Sequence, residues 1–143
     1  MTGLFLIAHV AGRTVAIASD QVESVVDIGV ITPVPRADRV VRGLAALRSR
    51  VVTVIDTPAA LGLPPREGES GRAVIVRRDG HYYGLLVDAL DDVAAFTLQP
   101  LASGVALTPA WRAVTLGLVE RDGEPILAVD LTGLLPGHAA LAA

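Results

Sequence analysis

Residues 43–63, GLAALRSRVVTVIDTPAALGL, carry the run Val51 to Ile55, interrupted only by Thr53 and closed at once by Asp56, Thr57 and Pro58. A β-branched segment of five residues bounded by turn formers reads as a buried strand. Arg48 and Arg50 stand at its entrance on either side of Ser49, where alternation leaves at least one guanidinium facing solvent. A buried strand with an exposed cation at its entrance suits a docking surface, although an ordinary strand end has the same pattern.

Upstream, Leu4 to Val10 and Thr14 to Ala18 flank the turn Ala11-Gly12-Arg13 and read as a hairpin. Ser19-Asp20 reads as a cap or turn, and Val22 to Val30 as a weakly alternating strand with a bulge or bend at Asp27 and Gly29. Thr32 to Pro35 is extended because each proline restricts the residue before it. Arg36 to Arg42 is predicted as a short helical turn with Val40, Val41 and Leu44 facing inward.

Downstream, Gly62 to Gly71 has linker character, with prolines, glycines and charges in place of the apolar pattern. Strands are then predicted at Ala73 to Arg77, Tyr82 to Val87, Val93 to Leu98, Leu116 to Val119 and Pro125 to Val129. Thr108 is placed to cap a helical turn over Pro109-Ala110-Trp111-Arg112. The final HAALAA forms a frayed turn at most.

The chain has 143 residues, 52% of them hydrophobic, and a formal net charge of −3. That length suits one domain or two very small ones. No segment approaches the ~20 apolar residues of a membrane-spanning helix, and Leu4 to Val10 is too short for the apolar block of a secretory signal. With no cysteine there is neither disulfide nor thiol chemistry, which fits the cytoplasm. The acidic balance gives nucleic acid no global attraction, and two Phe, two Tyr and one Trp are too few for base-stacking platforms. All 12 basic residues are arginine, whose planar fork suits carboxylate partners at protein interfaces.

An internal repeat organises these elements. Gly12, Asp20, Val22 and Val25 recur as Gly80, Asp88, Leu90 and Val93, a shift of 68 positions; Gly43, Leu44, Val52, Asp56 and Leu61 recur as Gly117, Leu118, Ile126, Asp130 and Leu135, a shift of 74. Two halves with about five short strands each imply an all-β fold of two pseudo-symmetric five-stranded barrels, with short helical turns. The first barrel is expected over about 12–66 and the second over about 72–135, joined by the strand 4–10, with 136–143 as a tail. A groove between the two is the expected binding location.

These residues resemble the CheW family of chemotaxis coupling proteins over nearly everything from Leu4 to Leu135. The resemblance is carried by Val34-Pro35, Val41 and Gly43, then Ala46-Leu47-Arg48-Ser49, VVTVIDT and Leu61-Gly62-Leu63; by Gly84 to Asp88 with Val93; and by Ala128-Val129-Asp130-Leu131 with Leu134-Leu135. The family's Asn-Leu-Arg-Gly box keeps Arg48 but has Ala46 and Ser49 for its Asn and Gly, so a side-chain amide and an unrestricted backbone are missing. Ser24 stands where the family often has Glu, with Glu23 before it, and Asp38 where it has Pro.

The resemblance implies two SH3-like barrels forming a single CheW-like domain over 1–143, and a non-catalytic cytoplasmic adaptor recruited to membrane receptor arrays without inserting into the bilayer. Its implied partners are the regulatory domain of a CheA-type histidine kinase and the cytoplasmic tip of chemoreceptors (methyl-accepting chemotaxis proteins), with no nucleic acid, cofactor or metal. Candidate protein-binding residues are Arg48, Leu47, Val22, Glu23, Arg42 and Arg50, within a region where Arg36, Arg39, Arg42, Arg48 and Arg50 face the single acid Asp38. Such a cluster could meet acidic residues on a receptor helix, with Leu47 and Val22 as apolar contacts.

Two other classes bear on the same residues. Asp56 in VIDT and Asp130 in AVDLTG invite comparison with the paired carboxylates of aspartic proteases. That site needs a glycine after Asp-Thr in each half, whereas Pro58 replaces it in one and Leu131 interrupts the other; strand-end residues accepting backbone hydrogen bonds are the simpler account. A small-barrel nucleic-acid binder is the second alternative, opposed by the charge and the shortage of aromatics. His9, His81 and His138 are isolated, and no phosphate loop or nucleophile elbow is present.

Overall fold

A computed structural model of the chain describes residues 2–66, 68, 71–101 and 106–136. Among the described residues ten strands run in order: β1 (Thr2–Val10), β2 (Arg13–Ala18), β3 (Ser24–Ile28), β4 (Val41–Leu47), β5 (Arg50–Ile55), β6 (Gly71–Arg78), β7 (His81–Val87), β8 (Ala89–Thr97), β9 (Thr115–Arg121) and β10 (Glu124–Val129). Helix α1 (Thr57–Ala60) follows β5, and α2 (Pro109–Val114) precedes β9. Short 3-10 turns cover Ser19–Gln21 and Leu131–Leu134.

The strands form two five-stranded sheets, ordered β8-β1-β2-β10-β9 and β3-β6-β7-β5-β4. Replacing each strand of the second sheet by its repeat partner reproduces the first sheet. Each sheet curls until its edges meet. An antiparallel bridge from Thr32 to Leu44 joins the segment after β3 to β4, and one from Gln99 to Leu118 joins the segment after β8 to β9. Each bridge is a reciprocal pair of backbone bonds of 2.8 Å. The repeated glycines are explained at these seams. A Cβ on Gly43 would lie 2.2 Å from the Thr32 carbonyl oxygen, and one on Gly117 2.3 Å from that of Gln99, so no side chain fits where each barrel closes.

The expected barrel boundaries at 12–66 and 72–135 do not describe these sheets. The first barrel contains β1, β2, β8, β9 and β10, and the second contains β3 to β7. The turn at Ser19–Gln21 carries the chain out of the first sheet, so β3 pairs with β6 of the second half. In return β8 pairs with β1, and each barrel gains one parallel pair, β2 with β10 or β5 with β7. Alternation fixes which face of a strand is buried and leaves open which sheet the strand joins.

Most central strands are buried on both faces, which accounts for the high apolar content. In β6, Ala73 and Ile75 point into the second barrel with Ile28, Val52 and Leu86, while Val74 and Val76 enter a larger core shared by both sheets. In β1, Phe5 and Ile7 point into the first barrel with Ala16, Val119 and Ile126, while Leu6 and Ala8 enter the shared core. Trp111, Leu131 and Leu134 complete that shared core. The junction between barrels is therefore packed as protein interior, with a cavity of only about 10 Å³.

Several local expectations meet their physical cause. Ala11-Gly12, Asp79-Gly80 and Asp122-Gly123 all have positive φ, near 52° at the first residue and near 80° at the glycine, the signature of the two-residue hairpin turn whose twist matches its strands. Thr108 caps α2 by accepting from the Trp111 N–H. The segment 36–42 departs from expectation. Asp38 Oδ1 accepts from the Val40 N–H, Arg36 sits at φ 61°, and strand β4 begins at Val41. Pairing of β4 with β5 outweighs the helical spacing, and Leu44 faces out. Strand β3 pairs with β6 in continuous register from Ser24 to Ile28, without a bulge at Asp27. The expected turn at HAALAA and part of the 62–71 linker lie outside the described residues.

Candidate binding surface

Asp56 shows why strand β5 must stop where it does. Its side chain caps α1 by accepting from the Ala59 N–H at 3.0 Å, and also accepts from the Arg66 N–H at 2.9 Å and from Arg42 Nε at 3.1 Å. Asp130 caps the 3-10 turn after β10, accepting from the Thr132 N–H at 3.0 Å and its hydroxyl at 2.6 Å. The backbone N–H groups of Asp56 and Asp130 donate to Val40 and Val114 in corresponding fashion. The two repeated aspartates thus terminate strands in two different barrels, each with its carboxylate occupied by donors of its own half. No shared proton between facing carboxylates is formed in this way.

The hairpin between β4 and β5 presents Leu47, Arg48, Ser49 and Arg50 at its tip, with both arginines exposed. Arg48 takes φ 57°, a left-handed conformation that costs a non-glycine residue about 1 kcal/mol or more and projects its side chain away from the ladder. Arg50 lies over the Tyr82 ring at 4.6 Å, and Arg77 approaches the same ring at 5.6 Å, within the range of cation–π attraction. Val51, predicted as part of a wholly buried run, is 63% exposed; alternation along β5 turns it to the face opposite Arg50 and Val52, and that face meets solvent at this end. The surface is therefore a basic tip with Tyr82 beneath Arg50 and with Leu47, opposite Arg50 in the hairpin, as its aliphatic part.

The other candidates are placed elsewhere. Arg42 lies on the same strand, but its guanidinium pairs with Asp56 and donates to the Arg66 carbonyl, so it braces the loop after α1. Six positions of extended chain put it about 20 Å from Arg48, which splits the five-arginine region into two ends of β4. Val22 is half-buried against the shared core, and the N–H of exposed Glu23 donates to Ile75 at 2.8 Å. Both belong to the crossover into β3. Tyr82 and Arg77 were not singled out from the sequence, because their place beside Arg50 depends on the parallel pairing of β5 with β7 and on the β6–β7 hairpin.

A second charged group lies on the first barrel. His9 Nε2 is 3.1 Å and Arg121 NH1 is 3.2 Å from the same oxygen of Asp91, and His9 Nδ1 meets the Thr14 hydroxyl at 3.2 Å. Hydrogen bonding from His9 and then from Arg121 holds the Asp91 carboxyl below its usual range. Among the described residues, no group of three or more His, Asp or Glu is arranged to hold a metal ion.

Comparison with known proteins agrees with this architecture. The CheW-like domain family matches residues 4–138. The chain is 27% identical over 123 residues to the chemotaxis protein CheW of Thermotoga maritima, covering 86% of this chain and 81% of that one. It is 28% identical over 114 residues to CheW of Rhizobium meliloti, covering 78% and 74%. The crystal structure of the scaffolding protein TtCheW from Thermoanaerobacter tengcongensis superposes with a TM-score of 0.78 at 24% identity, over 96% of this chain and 95% of that one. The last is a likeness of fold, the double SH3-like barrel.

Proposed function

Because the chain belongs to the CheW-like domain family, we propose that it is a non-catalytic chemotaxis adaptor that couples the cytoplasmic tips of chemoreceptors to the regulatory domain of a CheA-type histidine kinase. The observation that carries this reading is the exposed Arg48–Arg50 tip over Tyr82, since neither arginine makes an ion pair with a described residue. Arginine at such a tip can form forked, charge-assisted bonds to carboxylates of a partner helix, with Leu47 supplying apolar contact. Glu23 and Val22 form a separate patch at the crossover into β3. Among the described residues no helix is long and apolar enough to cross a membrane, and a cytoplasmic protein recruited to receptor arrays fits the proposed role.

The test is reconstitution. The purified chain, a CheA-type regulatory domain and a receptor cytoplasmic fragment should co-sediment as a ternary complex; no complex at tens of micromolar removes the coupling role. Arg48→Ala should weaken assembly by about 10-fold, the scale of a truncated interface arginine, with the melting temperature unchanged. Equal loss of both would make Arg48 a structural residue.

A further inference from the structure

Three strands bring two guanidiniums onto one ring at an end of the second barrel. Arg77 stands directly across from Tyr82 in the β6–β7 ladder, and Tyr82 pairs with Val52, two residues beyond Arg50, in the parallel β5–β7 ladder. The ring is half-buried against the core that contains Val52 and Ile75, and Arg50 lies 4.6 Å and Arg77 5.6 Å from its centre. The two guanidiniums are therefore within about 10 Å of each other, where like charges repel. Both are exposed, and neither makes an ion pair with a described residue, so only the negative face of the ring offsets that repulsion. The repeat shows that the fold does not require this arrangement. In the first barrel the places of Arg50, Arg77 and Tyr82 are taken by Glu124, His9 and Thr14, at the shifts of 74 and 68, and His9 pairs with Thr14 across its ladder as Arg77 does with Tyr82.

We propose that Arg50 and Arg77 form a binding site for a diphosphate group, free or carried by a nucleotide or polyphosphate. Arginine meets phosphate oxygens through its planar fork, two N–H bonds at a time. One phosphoryl group fills one fork, whereas a diphosphate offers a phosphoryl group to each, across the spacing that Tyr82 sets. The ring and the pairing of three strands hold both forks near that spacing before a ligand arrives, which lowers the ordering cost of binding. Tyr82 is the floor that positions the two cations, and its contact with guanidinium takes the place of stacking on a base. Arg48, exposed at the neighbouring hairpin tip, adds a third positive charge to the approach. On a chain of net charge −3 the attraction is local to this end of β5 and is not a property of the whole surface. Arg50 also belongs to the docking tip proposed above, but the anion site does not depend on the receptor–kinase role.

Titration calorimetry at physiological ionic strength, without divalent cations, tests it, with sodium pyrophosphate, sodium orthophosphate and ADP as the probes. Pyrophosphate should bind at least about 10-fold more tightly than orthophosphate, the scale of one further charge-assisted pair. R50Q and R77Q should each weaken pyrophosphate binding about 10-fold or more, and R50K/R77K, which keeps the charges and loses the forks, by a similar factor. R36Q/R39Q removes the same charge from exposed positions before β4, at the opposite end of that strand from the hairpin, and should bind like wild type. ADP that binds as pyrophosphate does identifies the free group as sufficient, and ADP that binds more tightly identifies a nucleotide as the source. Circular dichroism verifies that each variant is folded, and a rise in melting temperature with pyrophosphate gives a second readout where the heat of binding is small. No binding of millimolar pyrophosphate by either readout, equal affinity for the two phosphates, ADP weaker than orthophosphate, or an equal loss in R36Q/R39Q would each overturn the proposal.

Discussion

Thr57→Val should stabilise the protein, because Thr57 is fully buried and its hydroxyl has no hydrogen-bond partner among the described groups. It lines the small cavity of the shared core with Val10, Val15, Leu61, Trp111 and Leu131. The repeat supplies an internal control, since the equivalent residue is Leu131, itself buried. An unpaired buried hydroxyl costs about 1–3 kcal/mol, and a methyl in its place gains up to about 0.8 kcal/mol of transfer energy. Thr and Val have similar helix propensities, so a net gain of about 2 kcal/mol is expected. For a domain of this size that raises Tm by about 7 °C. In urea, with an m-value of about 2 kcal/mol per molar, the midpoint rises by about 1 M at unchanged slope. Thr57→Ser, which keeps the hydroxyl and deletes the methyl, should lose about 1 kcal/mol. If Thr57→Val instead lowers the midpoint by a similar amount, the hydroxyl is satisfied through solvent and the reasoning fails.

Asp56→Ala should cost about 3–5 kcal/mol by leaving Arg42 unpaired and α1 uncapped, whereas Asp130→Ala, which breaks a cap alone, should cost about 1 kcal/mol; urea titration separates them. Gly43→Ala and Gly117→Ala should each cost at least about 2 kcal/mol, since a Cβ would strike a backbone carbonyl. Gly12→Ala meets open space and pays only for its positive φ, about 1 kcal/mol. Because the Asp91 carboxyl is held below its ordinary value of 3.8, its contribution is complete above that value and disappears as pH falls through the lower folded one. The stability gap between wild type and Asp91→Asn should therefore be present at neutral pH and close in acid; a gap unchanged into acid would show that Asp91 contributes through something other than its charge.

The repeat in the sequence determined much of this protein. The hairpin glycines and the strand-ending Asp56 and Asp130 were legible because each answers a local demand, a turn twist or an orphan N–H; the recurrence of Gly43 as Gly117 was legible too, but its cause, a close approach to the carbonyl of Thr32 or Gln99, belongs to the closed barrels. The paired strands were legible for the same reason, since alternation and turn residues are short-range signals. Tertiary structure alone decided that β3 to β5 join β6 and β7 while β8 to β10 join β1 and β2, because strand pairing is settled by which edge lies open and not by the strand's own pattern. It also decided that Arg42 is spent on Asp56 while Arg48 and Arg50 reach solvent, that Val51 is exposed, and that Tyr82 lies beneath Arg50. Those outcomes depend on contacts between residues far apart in the chain, set only when both sheets close around a common core.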